Sequence, residues 1–460
     1  MLEFTLAPRK NEMVDALKTI LGIPSVKSEA QGNMPYGKGV FDALIKTLNL
    51  AERLDFDSVN FFSHLGYVEY GDGDEMLAIV THLDVVPAGE GWTVPPFEGT
   101  VKDGRIYGRG AIDDKGPAIA ALFALSAIKE NCISLNKRVR IIFGCDEESG
   151  WADMDFYKKN GGEIPTMAIS PDAEFPIVNA EKGLLHLTLR RKAYDYAPGG
   201  ALVLKEIRAG ERVNVVPALA ECTVGGNTEA LGAMIDIFNE DSPVKITSAP
   251  SGDGMILQAH GVSAHGSKPE DGKNALMYLI QFLNMLPLKK NVWSDTVYEL
   301  AALIGTQTDG TALGIAQEDF SGALSLNVGY CKAEGDGVAI GVDIRYPVGG
   351  DKDGILKQVR EKLAGFEVEE TFSRPSHYVS EDSPLVAGLK QAYEEVTGEK
   401  AYCITMGGAT YARAFPNSVA FGALFPGQEG TEHQPDEYIE IDSLVKVADI
   451  IANAILVLCK

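Results

Sequence analysis

The sequence is short of paired cysteines, basic charge and long apolar runs. Its six cysteines (Cys132, Cys145, Cys222, Cys331, Cys403 and Cys459) are scattered, and no two stand at C-x-x-C spacing. That excludes a readable zinc knuckle or dithiol redox motif and suits reduced, mostly buried thiols. Lysine and arginine number 41 against 65 aspartates and glutamates, a net charge of −24. Such a balance argues against nucleic acid or an anionic membrane surface as a partner. No apolar run reaches the length of a membrane span. The first residues, MLEFTLAPRKNEMVDALK, carry no basic leader ahead of an apolar core, so no signal peptide is expected. A cytoplasmic location with no membrane partner follows as the expectation.

What is present is an α/β pattern on a chain too long for one core. At 460 residues two or more domains are expected. The stretch Met76–Lys115 organises the first of them. The apolar run Met76–Val80 has the make-up of a buried strand and delivers His82 and Asp84 just past its end. A Pro/Gly-rich loop follows, and then GRGAIDDKGP opens into AIAALFALSAIKE, a helix apolar almost all round. An Asp before a helix is ordinarily only its N-cap. Here a histidine with a carboxylate and then a carboxylate pair sit on loops beside buried elements, which suggests a metal site. Arg138–Cys145 reads as a central strand running into Asp146-Glu147-Glu148-Ser149, and Ala168–Ser170 as a short one running into Pro171-Asp172. Acids gathered where strands end is the pattern of an open α/β sheet, whose ligands collect at the carboxyl edge.

Near Asn179 the pattern changes. Up to about His377, strands and helices alternate without the wholly apolar runs of a parallel core; helices are expected over Glu229–Asn239, Asn274–Leu286, Ser294–Leu303 and Gly354–Ala364. After Ser383 the α/β pattern of the first 180 residues returns, with a capped helix Pro384–Val396, short strands at Tyr402–Thr405 and Val419–Ala423, and a terminal helix Ile441–Leu458. The expected class is α/β: a discontinuous domain over 1–180 and 378–460 with a mixed, mostly parallel sheet covered by helices, and an inserted α+β domain over 181–377.

The motifs THLDVVPAG-x-GW, GRGAIDDKGP, CDEESG, SPDAEFP, RVNVVP, HGVSAHGSKPEDGKNA, DIRYP, GGATYAR and TEHQPDEY, in this order, resemble the M20 family of di-metal peptidases, and within it the bacterial PepV-type dipeptidases. The resemblance runs from Met13 to the terminal helix. It implies a catalytic first domain and a lid, the lid doubled so that one chain is similar to a folded-up dimer and stays a monomer. It implies that His82, Asp113 and Asp172 hold one metal and Asp113, Glu148 and His433 the other, with the Asp113–Asp114 peptide cis. Oxygen and imidazole ligands without thiolate suit two Zn²⁺, with Mn²⁺ or Co²⁺ as alternatives.

By the same resemblance Glu147 is the general base, Asp84 orients His82, and lid residue His265 stabilises the oxyanion. Asn214, Arg345, Gly407 and Gly408 contact substrate, Arg345 as a clamp for a terminal carboxylate. The sequence departs at Ala409, where threonine is common; Thr410 follows it. The expected activity is hydrolysis of dipeptides with free termini. The alternatives are an N-acyl-amino-acid or N-succinyl-diaminopimelate deacylase on the same metals, and a peptide-binding protein without catalysis. Asp172 favours the dipeptidase, since relatives with glutamate there tend to act on N-acyl amino acids. His64, His186, His260 and His377 are assigned to structure.

Overall fold

A computed structural model of the chain describes residues 5–194, 200–252 and 254–460. Two compact units emerge. The first runs to Ala180 and resumes over Tyr378–Ile404 and Ala409–Lys460; the second is Glu181–His377 with Thr405–Gly408. The short return Thr405–Gly408 is the one piece of the C-terminal segment that belongs with the inserted unit.

The first unit is built on a mixed sheet. Four strands at its centre are parallel: Arg138–Gly144, Met76–His82, Met167–Ser170 and Ser418–Ala420, side by side in that order. Apart from Arg138 and Arg140 they are mostly apolar, and apart from Arg138 they are buried on both faces, as suits a parallel sheet flanked by helices. The flanking pairs are antiparallel: Leu65–Tyr70 against Arg138–Gly144, Ser58–Phe61 against Leu65–Tyr70, and Ala420 against Val178. The parallel portion is thus confined to the strands that carry the acidic loops. Because these strands run the same way, His82, the Cys145–Ser149 loop and Asp172 all leave from one edge of the sheet.

The helix expected from Ala118 starts three residues sooner, at Lys115. Gly116 and Pro117 fall in its first turn, where proline needs no partner for an N–H it lacks. Lys115–Glu130 packs against the terminal helix Ile441–Cys459, and both belong to one core with Leu77, Ile79 and Ile141. Ser383 caps Pro384–Thr397 by accepting the Val386 N–H, and Gly398 closes that helix at φ 73°. The single strand expected over Val419–Ala423 is two, Ser418–Ala420 and Ala423–Leu424. Gly422 turns between them at φ 89°, with the Phe175 ring where a Cβ would stand.

The second unit is an eight-stranded sheet with its own core. In spatial order the strands are Lys245–Ser251, Gly254–His260, Leu219–Gly226, Leu202–Ala209, Ser325–Glu334, Gly337–Tyr346, Gly183–Arg191 and Glu367–Arg374. Each half holds a hairpin, then a helix (Leu231–Asp241 or Lys352–Lys362), then an outermost strand, with a further strand slotted between hairpin and edge. The halves meet first hairpin strand to first hairpin strand, antiparallel at Ala209 and Cys331. The slotted strand follows its hairpin in the chain in one half and precedes it in the other. Among the described residues no helix is long and apolar enough to cross a membrane.

Gly116 sets how closely the buried helix approaches the loop that carries Asp113. A Cβ there would stand 2.1 Å from the Ala111 carbonyl oxygen, a backbone atom that cannot swing aside. Gly116→Ala is expected to destabilise the protein by about 1–3 kcal/mol in urea unfolding. A shift below about 0.5 kcal/mol would mean that the contact is not tight in solution.

Candidate metal centre

Five side chains converge at the carboxyl edge of the parallel strands. His82 Nε2 lies 2.9 Å from Asp113 Oδ1 and 3.6 Å from Asp172 Oδ2. His433 Nε2 lies 3.1 Å from Asp113 Oδ2 and 3.2 Å from Glu148 Oε2. One oxygen of Asp113 therefore faces each histidine, the arrangement of a carboxylate shared between two cations. His82, Asp113 and Asp172 form one group able to hold a metal ion, and Asp113, Glu148 and His433 the other. All five residues singled out in the sequence are here. The chain brings them from four loops and one strand end, with His433 reached at φ 62°, in the left-handed region.

The backbone around them is pinned by buried acceptors. The Asp113–Asp114 peptide is cis. Asp114 Oδ2 accepts the His82 N–H at 3.0 Å. The expected link from Asp84 to His82 is made by the main chain: His82 Nδ1 sits 3.0 Å from the Asp84 carbonyl oxygen, which leaves Nε2 for the centre. The Asp84 carboxylate, with Oδ1 3.6 Å from the same Nδ1, accepts the N–H groups of Glu147 and Glu148, each at 3.1 Å. Three further acids join them that sequence reasoning misses. Asp153 accepts the Cys145 and Asp146 N–H groups and the Tyr411 hydroxyl. Asp146 accepts from Lys27, Ser149 and the Ala152 N–H. Glu437, four residues after His433, grips the Gly110–Asp113 segment. Their only sequence signal is acidity, Asp146 and Glu437 within quoted motifs and Asp153 just beyond one. Cys145, next to the acidic loop, is buried as a small apolar residue.

The electrostatics call for cations. Burial pushes Glu147 well above the usual carboxylate range, with the Asp172, Glu148 and Asp113 charges adding and His82 opposing. Burial and then Asp113 push Glu148 up. Burial and Asp113 likewise push Asp172 up to about 7. Burial opposes the charge on His433, yet Asp113 and Glu148 raise it to about 11. Burial also works against charge on Asp113, but the two imidazoles hold it well below its ordinary value. His82 Nε2 and Glu147 Oε1 are buried without a hydrogen bond. A hard-oxygen and imidazole donor set with orphaned atoms aimed inward fits divalent cations.

The lid residues converge within the second unit. Val215 and His265 form an antiparallel bridge, and Gly266 N–H donates to the Asn214 carbonyl at 2.8 Å. His265 Nδ1 is 2.7 Å from Ser267 Oγ, and Gly407 packs so closely on Ser267 that a Cβ would stand 2.8 Å from its Cβ. Gly408 lies against Met406. Arg345 is not a free clamp. Its Nε and Nη2 donate to Asp343 at 2.8 Å each, and its Nη1 donates to the Gly407 carbonyl at 3.0 Å. Thr410 is buried and caps the Tyr411–Ala414 turn through the Ala412 N–H. His64 stacks on Phe156 and bonds Tyr36, and His186 lies 3.3 Å from Asp343, which gives both a structural place.

Comparison with known proteins gives the same frame. Residues 78–457 match the model of peptidase family M20/M25/M40. The chain is 39% identical over 464 residues to a Bacillus subtilis protein named putative dipeptidase YtjP, covering 100% of this chain and 99% of that one. It is 34% identical over 460 residues to the beta-Ala-Xaa dipeptidase of Lactobacillus delbrueckii subsp. lactis, at 98% and 97% coverage. Among solved structures it is similar to the di-peptidase Dug1p of Saccharomyces cerevisiae, with a TM-score of 0.60, 15% identity and 98% and 97% coverage. Human carnosine dipeptidase 1 is similar with a TM-score of 0.59, 15% identity and 98% coverage of each chain. At such identities the structural likeness is one of fold.

The buried acids fix how the metal-free protein responds to pH. A carboxyl such as Asp172, near 4 when unfolded and about 7 when folded, contributes stability at low pH that is lost as pH rises through that window. Glu147 and Glu148 act in the same direction. Chelated protein is expected to show a Tm that falls between about pH 4 and 7, with divalent metal restoring it at pH 7. A flat or rising profile for the chelated protein would contradict the carboxylate cluster.

Proposed function

The chain belongs to peptidase family M20/M25/M40, and we propose that within it this protein is a dinuclear dipeptidase of the PepV type. It would cleave the single amide of dipeptides with free termini. The observation that carries this is Asp113, one oxygen toward His82 and the other toward His433. Asp172 and Glu148 complete the two triads. Zn²⁺ suits these donors, with Mn²⁺ or Co²⁺ also able to occupy them. Bound there, two cations would supply Lewis acidity toward the scissile carbonyl and the attacking water.

The residues divide the remaining work. Glu147 takes a proton from the water and passes it to the leaving amine. Burial raises its carboxyl above the ordinary range, which makes it a stronger base than an exposed glutamate. Asp84 holds the Glu147–Glu148 backbone in place. His265 donates to the oxyanion, and Asn214 with the Gly407–Gly408 backbone holds the substrate. Arg345 keeps two of its five N–H groups for the substrate, since the Asp343 and Gly407 contacts occupy the others. With its charge balanced by Asp343, it orients a carboxylate more than it attracts one. The two-part order of the lid sheet supports a doubled lid in a monomer. The dipeptidase names of the bacterial relatives support the substrate class.

The test is a hydrolysis panel of dipeptides, including β-Ala-Xaa, against N-acetyl- and N-succinyl-amino acids, with metal-loaded protein. Turnover confined to the acylated substrates would replace the dipeptidase with a deacylase. Glu147→Ala is expected to lower kcat by roughly 10²–10⁴-fold while keeping its metal, measured by elemental analysis. His433→Ala is expected to lose metal. A Glu147→Ala protein one metal short would make Glu147 a ligand, and a fully loaded His433→Ala would remove His433 from the centre.

A further inference from the structure

Glu437 is fully buried at the root of the loop that carries His433, yet it makes its contacts on the other loop of the centre. Its Oε1 accepts the N–H groups of Gly110 at 3.0 Å, Ile112 at 3.1 Å and Asp113 at 3.3 Å. Its Oε2 accepts Arg109 Nη1 at 2.6 Å. The segment Gly110–Asp113 thus curls its amides around one carboxylate, a concave anion cradle of the kind successive backbone N–H groups form. Arg109 is equally buried, donates through Nη2 to the Ala88 carbonyl at 3.2 Å and lies against the Trp92 ring.

On the other side, the His433 loop is tied down at two points after His433. Asp436, at φ 56°, accepts the Thr93 N–H and hydroxyl at 2.8 Å each. Directly after Glu437, Tyr438–Glu440 pairs antiparallel with Arg105–Tyr107. One side chain therefore fixes the amide of Asp113 and the base of the His433 arm.

We propose that Glu437 is the positioning residue that sets the Asp113–His433 spacing before metal arrives. It couples two loops far apart in sequence into one preformed site. This rests on the assignment of Asp113 and His433 as ligands. Groups behind metal ligands are typically worth about 10–100-fold in metal affinity. Glu437→Gln is the informative change. It removes the charge that the three amides and Arg109 share, and whichever way the carboxamide turns its NH2 faces one of these donors, so the grip on the cradle weakens with almost no change of volume.

The experiment titrates metal-free full-length protein with zinc against a competing chelator, with far-ultraviolet circular dichroism to confirm folding. Folded Glu437→Gln is expected to bind zinc about 10–100-fold more weakly. The control Glu440→Gln, which alters a partly exposed pair with Arg105, is expected to match wild type. A folded Glu437→Gln protein with wild-type affinity overturns the proposal, even if its Tm drops. Hydrogen exchange on metal-free wild type decides the matter independently of any variant. The amides of Gly110, Ile112 and Asp113 are expected to be protected, and exchange at open-loop rates until zinc is added overturns the proposal. Wild type that binds no zinc would instead defeat the ligand assignment, and this inference with it.

Discussion

The structure turns on burying several carboxylates at one point. Asp113, Glu147, Glu148 and Asp172 would repel one another in an apolar interior. The fold keeps them together by placing each where a stiff element stops. Four parallel strands fix the direction from which the loops leave, a helix with glycine and proline in its first turn lets the Asp113 loop lie close, and a second tier of buried acids holds the loop backbones. Asp84, Asp153 and Glu437 bond main-chain N–H groups at the feet of the candidate ligands. The negative charge is thereby oriented from behind by amide dipoles while its front is left to cations.

How much of this is legible in the sequence depends on the distance over which each signal acts. His82, Asp172 and the acidic loop after Arg138–Gly144 are readable because a strand's burial pattern and its terminal residue are local. The convergence of Asp113 and His433 is readable only through a family resemblance, since nothing in DD or in EHQ by itself separates a candidate ligand from a cap or a surface residue. Glu437 and Asp153 are not readable. Their partners lie on other segments, and their role is to satisfy amides whose positions exist only in the folded chain. Arg345 reads as a substrate clamp because DIRYP shows the arginine. The sequence does not show that Asp343, on the same face of its strand, already takes up two of its donors.

The second unit teaches the same lesson at the level of topology. Its halves repeat one spatial order, but the slotted strand comes after the hairpin in one half and before it in the other. Hairpin, helix and outermost strand follow in the same chain order in both halves and only the slotted strand is permuted, yet no repeat of residues accompanies the shared order. Its helices, in contrast, can be placed closely from apolar periodicity alone, because amphipathic helices need only their own residues to announce themselves.

The shared position of Asp113 has a thermodynamic consequence. One carboxylate belonging to two triads ties the occupancy of one to that of the other. Whatever factor a first ion imposes on the affinity for a second, the second must impose on the first. Ordering of Asp113 favours the pair, and repulsion between like charges opposes it. With both triads occupied as proposed, the binding isotherm would be the balance of the two and could not be decomposed into independent sites. On the proposed assignment, metal stoichiometry is a property of the bridge rather than of either pocket.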